Sequence, residues 1–138
     1  MKSAYQKYKS TSVQSASKEK ILLMLYEGAI KFTKLAIKAA EEKKIADKGY
    51  NIGRAYDIVM ELNNSLDHKV ATELSSQLEQ LYMYILDEYT KGNISNDPLH
   101  FRNGLKILEN LYGGWQVAVE KVKSDSDGNE PSTPPTNK

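Results

Sequence analysis

The sequence predicts an all-α fold: an antiparallel up-down-up-down four-helix bundle with an N-terminal arm and a disordered C-terminal tail. Three observations carry this. Apolar residues recur at steps of three and four in successive long stretches, the spacing of one helix face. Short polar connections separate those stretches, which makes neighbouring helices antiparallel. No stretch alternates apolar and polar residues as a half-buried strand would, and no hairpin turn pair occurs. The expected divisions are an arm over residues 1–14, a bundle domain over 15–123 and an acidic, proline-rich tail over 124–138.

The first helix is expected from Ser17, as N-cap, to about Lys44, with Glu19 in the positive first turn. It holds the longest apolar run of the chain, within residues 21–30. At 100° per residue it carries two apolar stripes instead of one. Ile21, Leu25, Gly28, Phe32, Leu35 and Ala39 are assigned to the core; Leu23, Tyr26, Ile30 and Ile37 are left over on the opposite side.

The second helix repeats Ile52, Ala55, Val59, Leu62 and Leu66, a bundle seam, with Tyr56 and Asn63 beside it. Asp47 is its candidate cap, and Gly49 and Gly53 are expected to fray its start. After the connection at Asp67, His68 and Lys69, a third helix is marked by Leu74, Leu78, Leu81, Ile85 and Tyr89, with Gly92 ending it. Asp97 then caps a fourth helix with Pro98 in its first turn. Its face is Phe101, Leu105, Leu108, Tyr112, Trp115, Val119 and Val122, and Gly113 and Gly114 are expected to weaken it locally.

Composition narrows the function. A chain of 138 residues with a net charge of +1 shows no nucleic-acid footprint. With no cysteine there are no disulfides or thiolate metal sites. The apolar run is too short to span a bilayer, and residues 1–8 lack the apolar region of a signal peptide, so the cytoplasm is expected, without stable membrane insertion. Nine tyrosines against two phenylalanines favour surfaces that are covered only part of the time, because a tyrosine buries a ring while keeping a wettable hydroxyl.

No catalytic, cofactor or metal constellation stands out. A carboxylate-bridged di-metal bundle needs Glu-x-x-His on two helices, whereas the nearest match is a single Asp97-Pro-Leu-His100, with His100 read as a surface residue of the first turn. His68 lies in a connection, which argues against a phosphotransfer site. A non-enzymatic protein with no cofactor is expected.

The residues left after the core seams point to partner binding. Beyond Leu23, Tyr26, Ile30 and Ile37, they are Tyr50, Ile58, Met60, Tyr82, Met83, Leu86, Ile107 and Val117. Methionine and tyrosine suit a groove that grips an amphipathic helix. The candidate partner-binding set is Tyr5, Tyr8, Leu23, Tyr26, Ile30, Tyr56, Met60, Tyr82 and Met83.

At these residues the chain resembles the FliS family of flagellin-specific export chaperones. The resemblance runs over roughly residues 4–122. It is carried by Ala-Tyr-Gln-Lys-Tyr at 4–8, by residues 15–30 and above all Leu-Met-Leu-Tyr-Glu-Gly-Ala-Ile at 23–30, by residues 58–67 and 81–85, and by Asn93, Ile94 and Trp115. Lys18, where members of that family often have proline, and the glycines departing from the pattern touch helix boundaries only. The resemblance implies a cytoplasmic chaperone that binds the C-terminal segment of flagellin, prevents premature polymerisation and presents the client to a component of the flagellar export gate. It also implies that the arm, through Tyr5 and Tyr8, covers part of the binding surface until the client arrives. The alternative is a helical-bundle oligomerisation or adaptor protein without a flagellin client, a weak homodimer included.

Overall fold

The computed structural model describes residues 15–129, and side chains from Lys18 to Asp125. Among the described residues there are four helices: α1 (Ser15–Glu41), α2 (Ile45–Asn64), α3 (Thr72–Ser95) and α4 (Pro98–Asn129). Each packs against its neighbours in sequence, and α4 closes the ring against α1. Contacts across the seams run in opposite senses. Glu27, Lys34 and Glu41 of α1 meet Tyr112, Glu109 and Arg102 of α4 in reverse order. Lys48 near the start of α2 reaches the Asn93 carbonyl near the end of α3. The bundle is therefore antiparallel around its ring, as the periodicity predicts.

The core face of α1 differs from the expected one. Tyr26, Ala29, Thr33, Ala36, Ile37, Ala39 and Ala40 are buried, so that of the expected face Ala39 holds, while Leu35 is 40% exposed and Ile21, Leu25, Gly28 and Phe32 are half-buried. Tyr26 and Ile37, assigned to the outer stripe, are core residues. On α3 the register is likewise displaced: Leu74 is exposed and Leu81 half-buried, whereas Leu78, Tyr82, Ile85, Leu86 and Tyr89 are buried. Tyr82 and Leu86 thus also move from the outer set into the core.

The cause is hydrogen bonding. The Tyr26 and Tyr82 hydroxyls lie 2.6 Å apart, and so do those of Thr33 and Tyr89. Both pairs join α1 to α3 across the bundle diagonal at the same separation of 56 residues, so the two helices run parallel with the pairs one heptad apart. Thr33 donates to the Ala29 carbonyl at 2.7 Å, which leaves the Tyr89 hydroxyl to donate to Thr33. A buried hydroxyl is costly only when unpaired; here each finds another.

Several boundaries shift for identifiable reasons. α1 begins at Ser15, which puts Ser17 inside its first turn, and it ends at Glu41, with Lys43 at φ 60° reversing the chain. α2 starts at Ile45 without a side-chain cap; Asp47 lies in the first turn, where its charge favours the positive helix end. Gly49 and Gly53 are helical, so the start does not fray. Gly92 does not end α3. The helix runs to Ser95, and Asn96 at φ 61° closes it by donating its N–H to the Gly92 carbonyl. Asparagine tolerates this left-handed position better than most residues. At α4 the expectation holds, since the Asp97 carboxylate accepts the Leu99 N–H at 3.0 Å and Pro98 opens the helix. The helix passes Gly113 and Gly114 without interruption, and continues beyond Ser124, where the tail was expected to begin, to Asn129. The arm at 1–14 and residues 130–138 lie outside the described residues.

Gly92 and Gly104 are close-approach positions. A Cβ on Gly104 would collide with the Tyr89 ring, and one on Gly92 with Phe101. Gly113 has open space around it. Gly104→Ala is therefore expected to destabilise the bundle by about 2 kcal/mol through displacement of Tyr89, while Gly113→Ala stabilises it by up to about 1 kcal/mol through helix propensity. Urea denaturation of the two variants checks both signs.

Candidate partner-binding surface

With the core assigned, the candidate residues separate into four groups. Tyr5 and Tyr8 lie outside the described residues. Tyr26 and Tyr82 are at most 2% exposed and hold the core, so their outward-facing placement is overturned. Leu23 and Ile30, seven residues apart on α1, are half-buried, and Ile30 faces the α4 side with Tyr112. Tyr56, Met60 and Met83 belong to the α2–α3 side, where helical spacing puts them along one seam.

The α2–α3 seam contains a groove of about 200 Å³. Its floor includes Ile52, Tyr56 and Tyr89, and its edges Gly53, Thr90, Asn93 and Ile94. On α2 the seven-residue step from Gly53 to Met60 extends that edge by helical spacing, and on α3 the steps from Ile94 back to Thr90 and Met83 extend the other. Met60, Met83 and Ile94 are 36%, 51% and 78% exposed, which leaves their apolar surface free for a partner. Gly53, Thr90 and Ile94 were missing from the sequence-derived set. The seven- and four-residue steps from Met83 could have found Thr90 and Ile94; nothing marked Gly53, which was read as a fraying residue.

Two buried polar atoms among the described residues have no hydrogen-bond partner, Asn63 Oδ1 and Trp115 Nε1. Such orphans are few in folded proteins. The Trp115 indole is close enough to Tyr26 to help its hydroxyl ionise, without the geometry of a hydrogen bond. Burial is the larger effect and raises the Tyr26 pKa overall, with Tyr82 and then Trp115 working against it. Burial also raises Tyr82, reinforced by Tyr26, and raises Tyr89, with the Thr33 hydroxyl pulling part of the way back. These three hydroxyls are structural groups kept neutral, not acids or bases poised for chemistry.

The cluster nearest to a chemical site lies on the α3–α4 seam. The Glu88 carboxylate, 7% exposed, accepts from Asn103 Nδ2 at 2.9 Å and meets His100 Nδ1 at 3.0 Å, with Lys91 at 3.9 Å. His100 is thus half-buried and engaged between helices instead of being a free surface residue. Those bonds, Asn103 first and His100 second, hold the Glu88 pKa below the usual glutamate value. The geometry is that of a clamp. Among the described residues no group of three or more His, Cys, Asp or Glu could hold a metal ion.

An antiparallel helical bundle with interhelical hydroxyl pairs in its core, an apolar-floored groove on one seam and no metal-ligating cluster among the described residues has the layout of a binding domain. Comparison with known proteins gives the family. The family model described as "Flagellar protein FliS" matches residues 1–122. The flagellar secretion chaperone FliS of Bacillus subtilis strain 168 is 30% identical over 124 residues, 90% of this chain and 92% of the relative. That of Vibrio cholerae El Tor is 31% identical over 119 residues, 83% and 88% of the two chains. That of Escherichia coli K12 is 25% identical over 110 residues, 79% and 81%. The chain belongs to the FliS family, a family of flagellar secretion chaperones.

Because the Glu88 pKa is depressed in the folded chain, its stabilisation is complete above the ordinary glutamate pKa of about 4.3. It is lost as pH falls through the lower, folded value. Glu88→Gln should therefore lower stability at neutral pH by about 1–3 kcal/mol and flatten the acid side of the stability–pH profile. Thermal unfolding between pH 3 and 7 checks this. The raised tyrosines act at the other end. Their contribution is complete below pH ~10 and lost as pH rises through their folded values. In an alkaline absorbance titration three tyrosines should ionise only together with unfolding.

Proposed function

We propose that the chain is a cytoplasmic chaperone that holds the C-terminal segment of flagellin before export, keeps it from polymerising early and hands it to a component of the export gate. The α2–α3 groove is the client site. A helical part of the client lays an apolar stripe between Met60 and Met83 and over Tyr56, and the bundle acts by burial, not by chemistry. Covering apolar surface contributes about 25 cal/mol per Å², less the cost of ordering the client.

The observation that carries the reading is the preformed groove over Ile52, Tyr56 and Tyr89 on a chain of this family, with the exposed Met60 and Met83 placed beyond its lining by helical spacing. Methionine side chains adapt to varied partner surfaces at low cost. No helix among the described residues is long and apolar enough to cross a membrane, as a diffusing chaperone requires. In this reading Tyr5 and Tyr8 of the arm cover the groove until the client displaces them.

Calorimetry with a flagellin C-terminal peptide tests the proposal. Binding is expected at micromolar concentration or below, weakened at least tenfold by Met60→Glu with Met83→Glu. No heat of binding, or an unchanged affinity in the double variant, would count against it. Tyr8→Ala should speed association if the arm gates the groove; an unchanged or slower rate would remove that part.

A further inference from the structure

The opposite seam, between α1 and α4, carries a second trench. Two contiguous grooves of about 400 and 510 Å³ share Lys34 and Lys38 as lining residues. Their apolar floor is formed by Ile30, Ile37, Leu105 and Tyr112. The rim is charged, and the pairing within it is uneven. Each carboxylate of the trench has a partner: Glu27 accepts from the Tyr112 hydroxyl at 2.5 Å, Glu109 meets Lys34 at 3.4 Å, and Glu41 meets Arg102. Lys31, Lys38 and Lys106 have no carboxylate within ion-pair distance among the described residues, and Lys31 lies instead over the Phe32 ring at 5.6 Å.

We propose that this trench docks an acidic amphipathic helix of a partner protein, separately from the client groove. Charge complementarity selects that occupant. Three unpaired lysines beside an apolar floor match a helix that presents an apolar stripe flanked by Asp and Glu. Such rim charges steer encounter and exclude basic competitors more than they add affinity. From Glu27 to Glu41 the trench follows α1 for about 20 Å, room for roughly four turns of a docked helix. The chain's own flanks do not match. Residues 1–14 contain Lys2, Lys7 and Lys9 and no carboxylate, and residues 130–138 contain the single carboxylate Glu130.

The test uses the full chain and a designed helical peptide of leucine and glutamate, with its leucine–lysine counterpart as control. Binding is followed by fluorescence anisotropy and by methyl NMR. The glutamate peptide should bind and shift the Ile30, Ile37 and Leu105 methyls, and the lysine peptide should not bind. The combined variant Lys31→Glu, Lys38→Glu and Lys106→Glu should weaken binding at least tenfold. A control with Lys69→Glu, Lys121→Glu and Lys123→Glu, of the same net charge, should change it less than twofold. Affinity for the flagellin peptide should be unchanged in the trench variant, which separates this proposal from the client reading. Shifts confined to other residues, equal binding of both peptides, or equal effects of the two variants would overturn it. So would concentration-dependent dimerisation through the trench, which would make a second copy the occupant.

Discussion

Two hydroxyl pairs across the diagonal of the bundle set the register of everything else. Tyr26 with Tyr82, and Thr33 with Tyr89, tie α1 to α3 at two levels one heptad apart. In a low-dielectric core such bonds are strong when complete and costly when broken, so each alternative rotation of α1 or α3 would strand buried hydroxyls. The remaining packing follows. Ala29, Ala36 and Ala40 are small enough to let α1 approach its neighbours, and Gly104 lets α4 lie against the Tyr89 ring.

Fixing the core in this way also decides what is left outside. Once Tyr26 and Tyr82 turn inward, two of the seams keep apolar-floored grooves. The α2–α3 side has methionine edges and a tyrosine floor, a chemistry that adapts to an apolar helix. The α1–α4 side has an aliphatic floor under a lysine rim, a chemistry that discriminates by charge. A chaperone that must hold one chain and still be recognised by another has use for two surfaces of different character on opposite sides of a narrow bundle.

Fold class, helix number and topology were legible in the sequence because they depend on apolar period and short connections, which are local. The fourth helix cap was legible for the same reason, since Asp97 and Pro98 act within one turn. Residue motifs alone also pointed to the family. Core register was not legible. On α1 the heavier apolar stripe, with Leu25, Phe32 and Leu35, looked like the inner one, and tyrosines looked like surface residues because of their hydroxyls. Which stripe turns inward depends on partners 56 residues away. The equal spacing of Tyr26 to Thr33 and Tyr82 to Tyr89 is the one signal that could have revealed it. Gly92 misled for a related reason: glycine ends helices and also admits close neighbours, and only the Phe101 ring distinguishes the two uses. Of the candidate site, Tyr56, Met60 and Met83 share the α2–α3 side, Leu23 and Ile30 lie toward α4, and the α3 edge at Thr90 and Ile94 emerged only once its register was known.

The central claim is that the diagonal hydroxyl pairs specify the core, and a double-mutant cycle at one of them tests it most directly. Thr33→Val and Tyr89→Phe each remove one hydroxyl with little change of shape. If the pair sets the register, Thr33→Val leaves the Tyr89 hydroxyl buried and unpaired, at about 1–3 kcal/mol, Tyr89→Phe costs less because Thr33 still donates to the Ala29 carbonyl, and the double variant is less destabilised than the sum of the two. A coupling of at least about 1 kcal/mol is the predicted result. Simple additivity would contradict the account, because it would mean that the hydroxyls sit in the core without holding one another there.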